Sequence, residues 1–178
     1  MRFRKVFYFV LSLIKGTSYY ARKVGVKVGH DCRLYIRRFG SEPFLIEIGN
    51  NVTITKGVTF ITHDGSTCLV KDLKGRRYLY KKIIIGNNVF IGMNTLLLPG
   101  VRIGNNVVIG AGSVVSKSIP DNTIVGGSPA KFITTFDSYK EKVLTSCVSD
   151  IDIDYTLSYE DRVLKLLDNN FKKSLISK

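Results

Sequence analysis

Few side chains in this chain can move a proton near neutrality. Only two of its 178 residues are histidines, His30 and His63, and its three cysteines, Cys32, Cys68 and Cys147, lack the spacing of a metal site. A histidine can take a proton from a hydroxyl because its unperturbed pKa is about 6.5. His63 stands in Ile61-Thr62-His63-Asp64-Gly65-Ser66, directly ahead of a basic stretch. Two carboxylates are candidates to orient its ring or to bind a substrate hydroxyl, Asp64 beside it and Glu42 upstream. Each is equally readable as a turn residue, Asp64 above all, because Asp-Gly is a turn signal in its own right. Two histidines cannot make a three-histidine metal site within one chain, so no metal is expected. Neither a Gly-x-x-x-x-Gly-Lys-Ser/Thr loop nor a Gly-x-Ser-x-Gly elbow occurs, which sets aside ATP hydrolysis and an acyl-serine route.

What must position His63 is a repeat of six. Ile85, Ile91, Leu97, Ile103, Ile109 and Val115 follow one another at six-residue intervals, and Val89, Thr95, Val101, Val107, Ser113 and Ile119 hold the place four residues after each. A helix needs a period of 3.6 and a simple strand a period of 2, so six is a short strand plus one corner. Corners need backbone that Gly and Asn tolerate. Gly-Asn-Asn stands at 86–88 and again at 104–106, 18 residues on, with a further copy at 49–51. Three hexads per turn make a triangular prism with like corners stacked about 4.8 Å apart.

The repeat is interrupted twice. After Leu34 the register breaks at Arg37, Arg38 and Phe39-Gly40-Ser41-Glu42-Pro43, then resumes at Ile48, Ile54 and Phe60. It stops again at His63 and returns at Ile85. Ile48 to Ile85 is 37 residues, which counts as two coils plus one residue, with most of 64–84 an excursion from the prism. A long excursion from a regular solenoid is usually functional. Phe39, Tyr78 and Tyr80 could stack on a sugar or pin the loop. Glu42, in the first break, could approach His63 from the adjacent coil or from a neighbouring subunit.

The hexads, the terminal Gly126-Gly127-Ser128-Pro129-Ala130-Lys131 and the placement of His63 resemble the hexapeptide-repeat acyltransferases, within them the maltose, galactoside and polysaccharide O-acetyltransferase branch. The likeness covers roughly residues 20–136. It implies an all-β fold, a left-handed parallel β-helix; the hand comes from the resemblance alone, since parallel crossovers are in general right-handed. It implies a homotrimer with a coenzyme groove between two prisms, and His63 as general base for direct transfer from acetyl-CoA to a sugar hydroxyl, with no acyl-enzyme. Met93 and Ala111, one coil apart, match positions along the pantetheine, and Ser116, Lys117 and Lys131 match positions near the nucleotide end; both lysines could also be an ordinary solvated face. Phe90 replaces a Trp often found before Ile-Gly in the family, a change that could reshape the acceptor side, and Met93 is larger than the small residue usual at its position and could narrow the thiol end of the groove. The implied acceptor is a sugar, a sugar nucleotide or a lipid-linked saccharide of bacterial surface-polysaccharide synthesis. Alternatives are an antibiotic or amino-sugar N-acetyltransferase of the same fold, and a non-catalytic β-helix scaffold.

Flanking segments complete the domain plan: an N-terminal helix over 1–23, the β-helix over 24–136 with its excursion at 64–84, and a C-terminal helical tail over 137–178, with helix from about Ser138 to Ser146 and from Ser158 to about Lys173. The formal charge is +13, and residues 1–38 carry ten Lys/Arg against one Asp. The apolar run Val6–Ile14 is too short to span a bilayer and lacks a small-x-small cleavage site. The N-terminal helix either packs on the prism or attaches to an anionic membrane surface. No nucleic-acid recognition motif accompanies the charge. The expected location is the cytoplasm, with membrane contact at its inner face as the peripheral variant.

Overall fold

A computed structural model describes residues 2–172, the side chains of 2–6 and 9 excepted. Helices α1 (Arg2–Lys15) and α2 (Thr17–Val24) come first. One helix was expected over 1–23; Gly16 divides it in two, and Met1 lies outside the described residues. Ala21 of α2 is fully buried and Tyr20 and Val24 pack on the core. α1 is turned the other way: Ser12 is buried, while Phe7, Val10, Leu13 and Ile14 face solvent.

The coils follow. Strands β1 (Lys27–Val28) and β2 (Arg33–Leu34) open the first; β3 (Ile46–Ile48), β4 (Val52–Ile54) and β5 (Thr59–Phe60) make the second. A small hairpin, β6 (Lys71–Asp72) and β7 (Gly75–Arg76), lies in the excursion. The third coil is β8 (Ile83–Ile85), β9 (Val89–Ile91) and β10 (Leu96–Leu97), and the fourth β11 (Arg102–Ile103), β12 (Val107–Ile109) and β13 (Val114–Val115). The coils stack as three sheets, β1-β3-β8-β11, β2-β4-β9-β12 and β5-β10-β13, all parallel. β14 (Thr123–Gly126) extends the second sheet, and β15 (Lys131–Thr135) folds back antiparallel to close its edge. The architecture is thus a parallel β-helix.

Register corrects one expectation. Ile48 pairs directly with Ile85, so the 37-residue interval is a single coil of 18 plus an excursion of 19, not two coils plus one. The chain is back in the wall by Ile83, which is fully buried, so the excursion ends at 82. The first coil is two residues longer than 18 (Leu34 pairs with Ile54), and the last is two shorter (Ile109 pairs with Val125). From the third coil to the fourth the offset is 18 (Ile85 with Ile103, Ile91 with Ile109, Leu97 with Val115).

The inward aliphatics fill the prism: Ile54, Ile83, Ile91, Leu97, Ile103, Ile109 and Val115 are essentially inaccessible. Burying each side chain is worth about 1.5–3 kcal/mol. Corners are fixed by sterics and by asparagine. Asn51, Asn88, Asn106 and Asn122 all have φ between 52° and 57°, and their side-chain amides form a ladder, Nδ2 to Oδ1 at 2.9, 3.1 and 2.8 Å. A Cβ on Gly86 would lie 2.6 Å from the carbonyl oxygen of Gly104, so only glycine lets these corners stack.

The C-terminal segment from Lys140 is a separate unit. Helix α3 (Phe136–Ser146) runs into it, and α4 (Tyr159–Lys165) is capped by Ser158, which accepts from Asp161 N–H at 3.2 Å. α4 stops eight residues short of the expected Lys173, which itself lies outside the described residues.

Candidate active site

His63 sits where the third sheet ends. Beyond β5, Thr62 turns inward and is buried, and His63 projects outward. By strand register its counterpart in the next coil is Gly100, over which the Lys81 side chain lies. Glu42 comes to it from the first register break, immediately ahead of the 3-10 turn Pro43–Leu45. Its Oε2 lies 3.0 Å from His63 Nδ1 and accepts the Thr62 hydroxyl at 2.6 Å. The carboxyl is 17% exposed and the imidazole 41%. Burial works to raise the Glu42 pKa, but the hydrogen bonds from Thr62 and His63 and the nearby imidazole outweigh it, and the carboxyl is held below its ordinary value. An ionised carboxylate can only accept. Nδ1 must therefore carry the proton of this bond, which leaves the lone pair on Nε2 turned away from Glu42. That is the tautomer a general base needs.

The excursion returns beside this pair. Asp64 N–H donates to Leu79 O at 3.1 Å and Lys81 N–H to Thr62 O at 2.8 Å, so 62–64 and 79–81 run antiparallel with His63 opposite Tyr80. The His63 and Tyr80 rings are 6.0 Å apart; Tyr80 stacks on Tyr78 at 6.3 Å, and Arg76 lies 4.7 Å over the Tyr78 ring. Asp64 is occupied locally: its Oδ1 accepts from Ser66 N–H at 2.9 Å and Ser66 Oγ at 2.6 Å, bonds that hold its carboxyl below the ordinary value. Of the two carboxylates named from sequence, Glu42 is the one that contacts the ring. Phe39 is buried against Phe60, which removes it as a sugar platform.

The remaining sequence-named residues divide between the two edges of the third sheet. Ser116 and Lys117 follow β13 on the His63 edge, two coils up, about 10 Å along the axis. Met93 and Ala111 stack on the opposite edge, where Gly112 N–H donates to Met93 O at 2.7 Å; both are exposed. Lys131 opens β15 and pairs with Gly126 near the top of that second edge. Phe90 is half exposed on the outer face of the second sheet, between Thr53 and Val108, away from His63 within one chain. Sequence reasoning missed two participants. Thr62 anchors Glu42, and its signal is a hydroxyl beside the histidine at an inward position. Strand β15 carries Lys131, and its only cue is a Thr-rich run after Pro129.

Residues 82–117 match the family model of the bacterial transferase hexapeptide, six repeats. Protein CapG of Staphylococcus aureus is 52% identical over 158 residues, 86% of this chain and 88% of that protein. The chain belongs to the hexapeptide-repeat acyltransferases. Among solved structures, a maltose O-acetyltransferase from Clostridium difficile 630 superposes with a TM-score of 0.53 at 32% identity, covering 64% of this chain and 60% of that one. A galactoside acetyltransferase in complex with coenzyme A superposes with a TM-score of 0.54 at 26% identity, covering 77% and 76%. Family membership implies the left-handed sense of the coil. Several other curated relatives are matched over about half of their length or less.

Proposed function

We propose that this acyltransferase carries an acetyl group from acetyl-CoA to a sugar hydroxyl, as the O-acetyltransferases it resembles are named for doing, and that it serves surface-polysaccharide synthesis. The observation that carries the reading is the Nδ1–Oε2 bond between His63 and Glu42 at an open edge of the prism. The hydroxyl oxygen attacks the thioester carbonyl while Nε2 takes its proton. The tetrahedral intermediate collapses with cleavage of the carbon–sulfur bond, and the proton passes from Nε2 to the departing coenzyme thiolate. Glu42 fixes the ring and stabilises its cationic form, and backbone N–H groups on the wall stabilise the oxyanion. No covalent intermediate on the protein is needed.

The placement of the two edges supports an oligomeric enzyme. Within one chain, His63 and Met93–Ala111 are separated by the width of the third sheet. Two prisms side by side in a homotrimer set one chain's His63 edge against another's Met93–Ala111 edge, and the coenzyme lies in the crevice with its phosphates toward Lys117 and Lys131. Replacing His63 by Ala is expected to abolish coenzyme A release while sedimentation still reports a trimer. Full turnover by that variant would refute the role, and no acetyl-CoA binding by calorimetry at millimolar ligand would favour a scaffold instead.

The outward apolar stripe of α1 supports attachment to an anionic lipid surface. Phe7, Val10, Leu13 and Ile14 face solvent on a helix that also contains Arg2, Arg4, Lys5 and Lys15. Among the described residues no helix is long and apolar enough to cross a membrane. Sedimentation with phosphatidylglycerol vesicles, lost in Leu13→Asp and absent with phosphatidylcholine, is the expected result; equal recovery with both lipids would sink it.

A further inference from the structure

We propose that the base of the third sheet binds a diphosphate borne by the acceptor. This rests on the transfer reading above and specifies the acceptor class. The segment Tyr35–Glu42 crosses beneath that sheet from the Met93 edge to the His63 edge. At its start Tyr35 N–H bonds to Ile54 O at 2.8 Å, midway Phe39 packs under Phe60, and at its end Glu42 meets His63. Arg37 and Arg38 stand in the middle of the crossing and line two openings. One, of about 360 Å³, is closed by Tyr20 of α2 and by Gly40 and Pro43. The other, of about 500 Å³, is bounded by Tyr35, Lys56 and Thr59.

Three features point to an anion. No Asp or Glu lines either opening. Among the described residues neither Arg38 nor Lys56 is in an ion pair, whereas Lys27 and Lys82 elsewhere on the prism share Glu47. The smaller opening abuts the catalytic pair: a Cβ on Gly40 would lie 2.9 Å from Phe60 O and 3.8 Å from Thr62 Oγ1, and Thr62 is the residue that holds Glu42. Position then selects the ligand. Along one edge, from the last coil downward, come Lys131, Ala111, Met93 and Lys56, linked by Gly112 N–H to Met93 O and by Asn94 N–H to Lys56 O at 3.1 Å. With the coenzyme phosphates at the top of this edge and its thioester near Met93, the lower cations are left for the other substrate. Guanidinium and ammonium groups flanked by Tyr20 and Tyr35 suit a diphosphate joined to a sugar. A neutral sugar has no use for them.

The diphosphate could come from a nucleotide or from a prenyl lipid, and the chemistry recognised is the same. The first experiment titrates the full chain with inorganic pyrophosphate by calorimetry, with coenzyme A saturating so that its own phosphate site is filled. Binding should persist, should be as tight in His63→Ala, and should weaken at least tenfold in Arg38→Gln/Lys56→Gln, whose melting curve checks its fold. Binding displaced by coenzyme A, or unchanged in the double variant, overturns the proposal. The second experiment compares acetyl transfer to uridine-diphosphate N-acetylglucosamine, to farnesyl-diphosphate-linked N-acetylglucosamine and to the free sugar. One diphosphate acceptor should exceed the free sugar in kcat/KM at least tenfold, and which one identifies the source. The double variant should lose that advantage through KM. A free sugar that serves equally well overturns it. An active His63→Ala with pyrophosphate binding intact would instead remove the transfer mechanism and leave the anion site standing.

Discussion

Residues 83–115 and the two segments that interrupt the coil, 35–45 and 61–82, are built by different rules. In the first region every 18th residue repeats its predecessor's place, the inward side chains are aliphatic, and the corners are glycine and asparagine held by a common amide ladder. In the second the register slips, and there stand His63, Glu42, Thr62, Arg38 and Tyr80. A strictly periodic wall cannot aim one side chain differently from its counterparts a coil above and below. The transfer proposed above needs a unique group, and His63 stands where the period fails.

Two substitutions break this contrast from opposite sides. His63→Ala deletes a 41% exposed group outside the aliphatic core, so acetyl transfer should fall about 10²–10⁴-fold with a smaller loss of thermal stability than a core truncation causes. Coupled coenzyme-release assays and calorimetric melting measure both. Ile91→Ala in the periodic wall should do the reverse. Its side chain is wholly buried in the core, so truncation costs about 2–5 kcal/mol of stability, read from denaturant midpoints. The rate of the surviving folded fraction should stay near wild type. If Ile91→Ala slows transfer more than His63→Ala does, the division between wall and interruption is wrong.

The same contrast decides what could be read from sequence. The period of six, the corner copies at 49–51, 86–88 and 104–106 and the inward aliphatics carry the parallel β-helix, because a repeated local rule leaves one way to coil. Interruptions carry no such rule. The interval of 37 fits two readings of coil number, and only pairing of Ile48 with Ile85 separates them. Glu42 and Asp64 were both plausible partners for His63. Asp64 is nearer in sequence, but its Oδ1 is taken by Ser66, while Glu42 comes from 21 residues away across a coil. β15 was invisible because its strand character depends on the open edge of β14 rather than on its own pattern. The outward apolar face of α1 was also hidden: amphipathic spacing reveals that a stripe exists, not which way it points.

Glu42→Gln sharpens the comparison inside the interruption itself. Glutamine keeps the shape and can still accept from Thr62, but it loses the charge that, in the proposed mechanism, stabilises protonated His63 in the transition state. Transfer should drop about 10–100-fold, less than on removing the base, with the change in kcat rather than in the coenzyme's KM. A pH titration separates this electrostatic role from packing. The Glu42 carboxyl is held below its ordinary value by Thr62 and His63 against the opposing effect of burial. A carboxyl depressed on folding stabilises the native state above its unfolded pKa of about 4.3, and that contribution disappears as pH falls through the lower folded value. Wild type should therefore be the more stable at pH 6, and its urea midpoint should converge with that of Glu42→Gln as the pH is lowered below about 4. A gap that stays constant from pH 6 to pH 3 would mean that Glu42 acts by shape alone. The charge at the break would then have no part in fixing His63.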